Sequence, residues 1–172
     1  GSTTIGSVSS RTATIQTTQA NSAPTFSNAA GFTYQDSNAS TVAVTGNNQI
    51  MIQGYSTLVV SAYTATPKNG ATITQYQATI NDAVISSSGT TLNCGTISKA
   101  GNLTLKVTAV DSRGYSVSVS KTITVAEYAR VDITDVQMRR VNEVEATTQV
   151  ELSATLSKIL VSGVNKNQFQ YL

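Results

Sequence analysis

The chain has 172 residues, 11 Lys and Arg against 9 Asp and Glu, no His, no Trp, one Cys and two Pro. That length holds one full domain and part of another. A net charge of +2 with only 12% charged residues argues against the basic stripe of a nucleic-acid binder. No apolar stretch is long enough to cross a bilayer and no signal-peptide pattern opens the sequence, so neither nucleic acid nor membrane insertion is expected.

The absent residues also argue against catalysis. Histidine is the commonest general base and metal ligand near neutral pH, and the chain has none. Cys94 stands alone, which excludes an internal disulfide and a clustered zinc site and leaves the thiol without a His partner. In Leu92-Asn93-Cys94 it reads as a small buried hydrophobe. The first 98 residues hold only Arg11, Asp36, Lys68 and Asp82 as charges, and their spacing does not suggest a carboxylate pair. With no phosphate loop and no nucleophile elbow, the expectation is a non-enzymatic chain with no cofactor and no metal site.

Thr, Val and Ile together number 56 against 8 Leu, and branching at Cβ suits a pleated, half-buried surface. Residues 1–22 are Ser/Thr-rich and read as a tag or linker, or the last strand of an upstream unit; Gly1-Ser2 looks like a cloning remnant. Thr41-Val42-Ala43-Val44-Thr45 predicts a short edge strand that ends at Gly46-Asn47-Asn48. Ser56 to Tyr63 predicts a core strand, and Pro67-Lys68-Asn69-Gly70 a turn. Ile73 to Ile80 follows with Tyr76, Ala78 and Ile80 on one face, Tyr76 serving as the central aromatic plug. After Asn81-Asp82 come Ala83-Val84-Ile85, a break at Ser86 to Gly89, and a strand from Thr91 to Ile97. Leu103, Leu105, Val107 and Ala109 alternate with outward residues, Lys106 among them. Asp111-Ser112-Arg113-Gly114 then turns the chain into Tyr115, Val117 and Val119. Because the apolar parity slips before Ile123 and Val125, a bulge is expected near Ser120.

About seven short strands within a hundred residues predict an all-β fold, an immunoglobulin-like antiparallel β-sandwich over residues 23–127. Residues 99–172 carry 16 of the 20 charged residues. Within them, residues 128–172 read as the start of a second, partial β module, with truncation expected at the apolar end Phe169-Gln170-Tyr171-Leu172. Val131 and Ile133 alternate, as do Val150, Leu152, Ala154 and Leu156. Some 45 residues are too few to bury such faces alone, so the segment must meet the first domain, another chain or further sequence.

Three surface readings compete. Asp111, Arg113 and Tyr115 could form a ligand-contacting loop with Tyr55, since sandwich-end loops carry recognition in many domains; turn chemistry alone accounts for the Asp and Gly. Tyr55, Tyr63 and Tyr115 could stack sugars, against the plainer role of Tyr as a strand residue. Asp36, Asn38 and Asn47 offer oxygen ligands for Ca²⁺, against caps and Asx-turns.

The ordered stretches Ala23-Pro24-Thr25-Phe26, Tyr34 to Asn38, Thr45 to Gln49, Ile52 to Leu58, Gly70 to Ile73 and Asp111 to Gly114 resemble a family of minor structural proteins of siphophages infecting Gram-positive bacteria. Arg139-Arg140 and Asn165-Lys166-Asn167 look like the opening of that family's next module. The resemblance spans residues 23–172 and departs at Val131, where the family tends to place proline. It implies Ig-like modules at a tail tip or fibre, located in the virion and extracellular once assembled. The expected function is a rigid spacer or decoration at the host-facing end. Expected partners are other virion proteins or further modules of the same chain, as an oligomer or not. The second reading is a carbohydrate-binding or adhesin module for bacterial cell-wall polysaccharide.

Overall fold

In the computed structural model, which describes residues 6, 10–15, 22–142 and 146–168, backbone pairing between strands carries almost all of the architecture. In chain order the elements are β1 (Thr25–Phe26), β2 (Phe32–Asp36), α1 (Ala39–Thr45), β3 (Met51–Ile52), β4 (Thr57–Ala62), β5 (Ala65–Thr66) and β6 (Ile73–Ile80). There follow β7 (Ala83–Ser87), β8 (Thr91–Thr96), β9 (Gly101–Asp111) and β10 (Ser116–Ala126). Beyond them lie β11 (Asp132–Arg140), β12 (Thr148–Thr155), β13 (Leu160–Val161) and β14 (Val164–Asn165). The fold is all-β, as the composition requires.

Two sheets enclose one core. Strands β2-β4-β8 form one, β3-β10-β9-β6-β7 the other, and β1 pairs with β5 beside them. Within the larger sheet β3 runs parallel to β10, and the other neighbours are antiparallel. The alternation in β9 does what it promises: Leu103, Leu105, Val107 and Ala109 all face inward and are buried. Phe32, Leu58, Val60 and Leu92 meet them from the smaller sheet. Tyr76 is buried as expected, and its hydroxyl oxygen accepts the Ala65 amide at 2.9 Å. Phe32, fully enclosed, is a second aromatic plug.

Two expectations are corrected. Thr41–Thr45 is not an edge strand but the body of α1. Asn38 caps it by accepting the Ser40 amide at 3.0 Å, and left-handed Gly46 closes it by donating to the Val42 carbonyl at 2.8 Å. Thr41 and Thr45, four residues apart, are its buried face. Local capping outweighs the strand preference of β-branched residues.

No bulge lies near Ser120 either: β10 pairs with β9 without interruption from Ser116↔Val110 to Val125↔Gly101. Val117, Val119, Lys121, Ile123 and Val125 form one continuous inward row, and the apparent slip is a lysine standing in it. Lys121 satisfies its ammonium by donating to the Phe32 carbonyl and lying 4.6 Å from the centre of the Phe32 ring.

Past Ala126, β11 and β12 form a separate antiparallel hairpin, and β13 and β14 a smaller one. Cross-strand partners place Ile133 with Ala154, Val136 with Leu152, and Met138 with Val150 on one face. The other face carries Asp135, Ser153, Gln137, Glu151, Arg139 and Gln149. A bulge between Ile133 and Asp135 keeps Ile133 in the apolar row. That row is uncovered, with Met138 70% exposed. Most of residues 1–22, Gly1-Ser2 included, and the end Phe169 to Leu172 lie outside the described residues; Ile15, within them, is exposed.

Candidate functional site

The β9–β10 turn is built around Asp111, the last inward residue of β9 and only 2% exposed. Its carboxylate accepts the amides of Arg113 at 2.9 Å and Tyr115 at 3.1 Å, and the Arg113 guanidinium at 2.7 Å. Gly114, at φ 86°, takes the left-handed position that a side chain would resist. Arg113 also donates to the Ser22 carbonyl at 2.7 Å and sits 5.1 Å over the Tyr115 ring. Burial pushes the Asp111 carboxyl up. The Arg113 side-chain and backbone bonds, the Tyr115 amide and the guanidinium charge outweigh this and hold it below the usual carboxylate range. These groups are occupied in closing the turn.

Asp36 is a second latch, 3% exposed at the end of β2. One carboxylate oxygen accepts the amides of Asn38 at 2.9 Å and Thr57 at 3.0 Å. The other accepts the hydroxyls of Ser56, at 2.6 Å, and Thr41. Ser56 in turn accepts the Ile52 amide at 2.6 Å, so one carboxylate ties β2, α1 and the β3–β4 turn together. Asn47 makes an Asx-turn, accepting the Gln49 amide at 2.8 Å. The oxygens considered for Ca²⁺ are engaged with the chain itself.

Tyr55 does not join Asp111, Arg113 and Tyr115. It projects from the β3–β4 turn beside the Ala126 end of β10, whereas Tyr115 precedes the Ser116 end. The length of β10, on the order of 35 Å, separates them. Nor does Tyr63, half-buried with its amide on the Gly31 carbonyl, stack with either.

What Tyr55 meets is Tyr128, edge to face with ring centres 5.1 Å apart. Asn38 donates its side-chain amide to the Tyr55 carbonyl at 2.8 Å, and Arg130 donates to the Tyr55 hydroxyl at 3.2 Å. Gln53 accepts the Tyr128 amide at 3.3 Å and donates to the Ser98 carbonyl at 2.9 Å. Hollows open on both sides of this ridge. One, of about 240 Å³, is walled by Asn38, Val44, Ile52, buried Ile159, Lys166 and Asn167. The other, of about 340 Å³, is walled by Gln53, Ser98 and Arg130. This ridge, fixed by hydrogen bonds and open to solvent, is the candidate site.

A family model described as siphovirus protein of unknown function (DUF859) matches residues 1–171. The chain belongs to this family of siphovirus proteins. No curated protein and no solved structure matches it. In this siphovirus protein Tyr55 is legible as a site residue from the sequence, whereas Tyr128, Arg130 and Lys166 are not and come from the segment beyond β10. The usable signal was a tyrosine two residues past the end of β10. Cys94 is half-buried against the core, and burial pushes its thiol up to about 11, which makes it a poor nucleophile.

Proposed function

We propose that this siphovirus protein is a non-enzymatic structural module of the phage tail, at the tip or in a fibre of a phage of Gram-positive bacteria. The observation that carries the reading is the use of Asp36 and Asp111: the buried carboxylates hold backbone amides and hydroxyls in place. A body closed in this way is suited to hold other parts at a fixed spacing from the host surface. The strand order, with β3 parallel to the last strand of the larger sheet, supports an immunoglobulin-like reading of that body. The uncovered row of the β11–β12 hairpin supports contact with other tail proteins or with further modules of the same chain.

Gold-labelled antibody against the chain, applied to purified virions and viewed by electron microscopy, tests the location. Label at the tail end remote from the capsid is expected; label on the capsid, or virions without the protein, overturns it. A second reading, recognition of bacterial cell-wall polysaccharide, is favoured by the Tyr55–Tyr128 ridge with its flanking hollows.

A further inference from the structure

The hollows beside the ridge differ in charge from two others among the described residues, which combine Glu127 with Lys158 and Asp82 with Lys99 and Lys106. The ridge's two hollows are walled by one cation each, Lys166 on one side and Arg130 on the other, and by no carboxylate. Among the described residues the ion pair is Arg113 with Asp111, at the far end of β10, so neither ridge cation is neutralised by a salt bridge. Asp36 bonds Asn38 and Thr41 of the first hollow's wall and is enclosed by its own donors. Glu127 adjoins Tyr128 in sequence but lines a different hollow, together with Lys158.

We propose that the Tyr55–Tyr128 ridge binds an anionic saccharide, a sugar chain carrying phosphate or carboxylate groups, with Lys166 and Arg130 as counter-charges. The assignment rests on the glycan reading and narrows it. Aromatic faces pack against the apolar C–H faces of sugar rings, and Tyr combines large contact area with few torsions to freeze. Here the two residues are placed before any ligand arrives: Asn38 and Gln53 fix their backbones, Arg130 holds the Tyr55 hydroxyl, and the rings brace each other. Arg130 uses its Nε on the Tyr55 hydroxyl, which leaves the outer nitrogens of its planar fork for a phosphate or carboxylate. Lys166 adds a mobile point charge across the ridge.

The test is isothermal titration of the full chain with phosphomannan, polygalacturonate and uncharged dextran. Saturable binding to one or both anionic polymers, at least tenfold tighter than to dextran, is expected, and the two anionic arms separate phosphate from carboxylate recognition. Lys166→Glu and Arg130→Glu should each weaken that binding at least tenfold with unchanged circular dichroism; Tyr55→Ala should do the same. Lys166 is exposed, so its variant keeps the test valid even if Tyr55→Ala fails to fold. Equal binding to dextran overturns the anionic assignment and leaves glycan recognition standing. No binding to any polymer overturns both. Anionic binding that survives Lys166→Glu and Arg130→Glu overturns this location.

Discussion

The two-sheet body and the β11–β12 hairpin follow the same rule of alternation with opposite results. In β9 the apolar row Leu103 to Ala109 is buried under the facing sheet. In the hairpin an equally regular row, Val136, Met138, Val150 and Leu152, is at least half exposed. Alternation therefore encodes a face but not its cover. The body supplies its own cover because β2, β4 and β8 return over the larger sheet; a two-stranded ribbon has no second layer.

The sharpest way to break this comparison is a matched pair of truncations. Leu105→Ala, at a fully buried position, should destabilise the chain by about 3 kcal/mol through lost transfer energy and a cavity. Leu152→Ala on the hairpin should change stability by less than about 0.5 kcal/mol. Urea unfolding followed by circular dichroism measures both, and equal losses would mean that the hairpin row is covered in solution.

A smaller effect is expected from the polar latch that closes the body. Asp36→Ala leaves two backbone amides and two hydroxyls without their acceptor, at a cost of about 2 kcal/mol. The same urea titration reads it, and a loss no larger than that of Leu152→Ala would remove Asp36 from the account.

Acidification sharpens the comparison further. Asp111 has a folded-state pKa below its unfolded value. Its contribution is therefore complete above the ordinary carboxylate range, near pH 4, and disappears as pH falls through the folded value. Wild-type stability should drop below about pH 4, and Asp111→Asn should flatten that part of the profile. An unchanged acid limb in the variant would show that other carboxylates control it.

The smallest effect concerns Cys94, whose thiol is pushed by burial up to about 11 from an ordinary value of 9.0. Two pKa units reduce the thiolate fraction about a hundredfold at neutral pH. Iodoacetamide should label the native chain far more slowly than the urea-unfolded chain, and equal rates would contradict the half-buried placement.

These contrasts also explain what the sequence disclosed. Strands β4, β6, β8 and β9 were legible because side-chain period and turn residues agree along them, whereas β7 continues through Ser86 and Ser87, which read as part of a break. Helix α1 was not, because Thr41 to Thr45 satisfies a two-residue and a four-residue repeat alike; the deciding signals are Asn38 before it and Gly46 after it. Lys121 was misleading in another way, since a charged residue on an inward row mimics a register shift until its partner Phe32 is seen. The candidate site was half legible. Tyr55 stands out on a turn, but Tyr128, Arg130 and Lys166 join it only through folding across more than seventy residues.

The parallel pairing of β3 with the end of β10 has a mechanical meaning. Tension applied beyond Ala126 runs lengthwise along the Val125–Met51 and Ala126–Ile52 pairs and the Gln53 amide bond to the Ala126 carbonyl. These links are loaded in shear and must rupture together, whereas a hairpin pulled from its open end unzips one pair at a time. A chain held by this clamp would transmit a tug from beyond Ala126 without first unravelling.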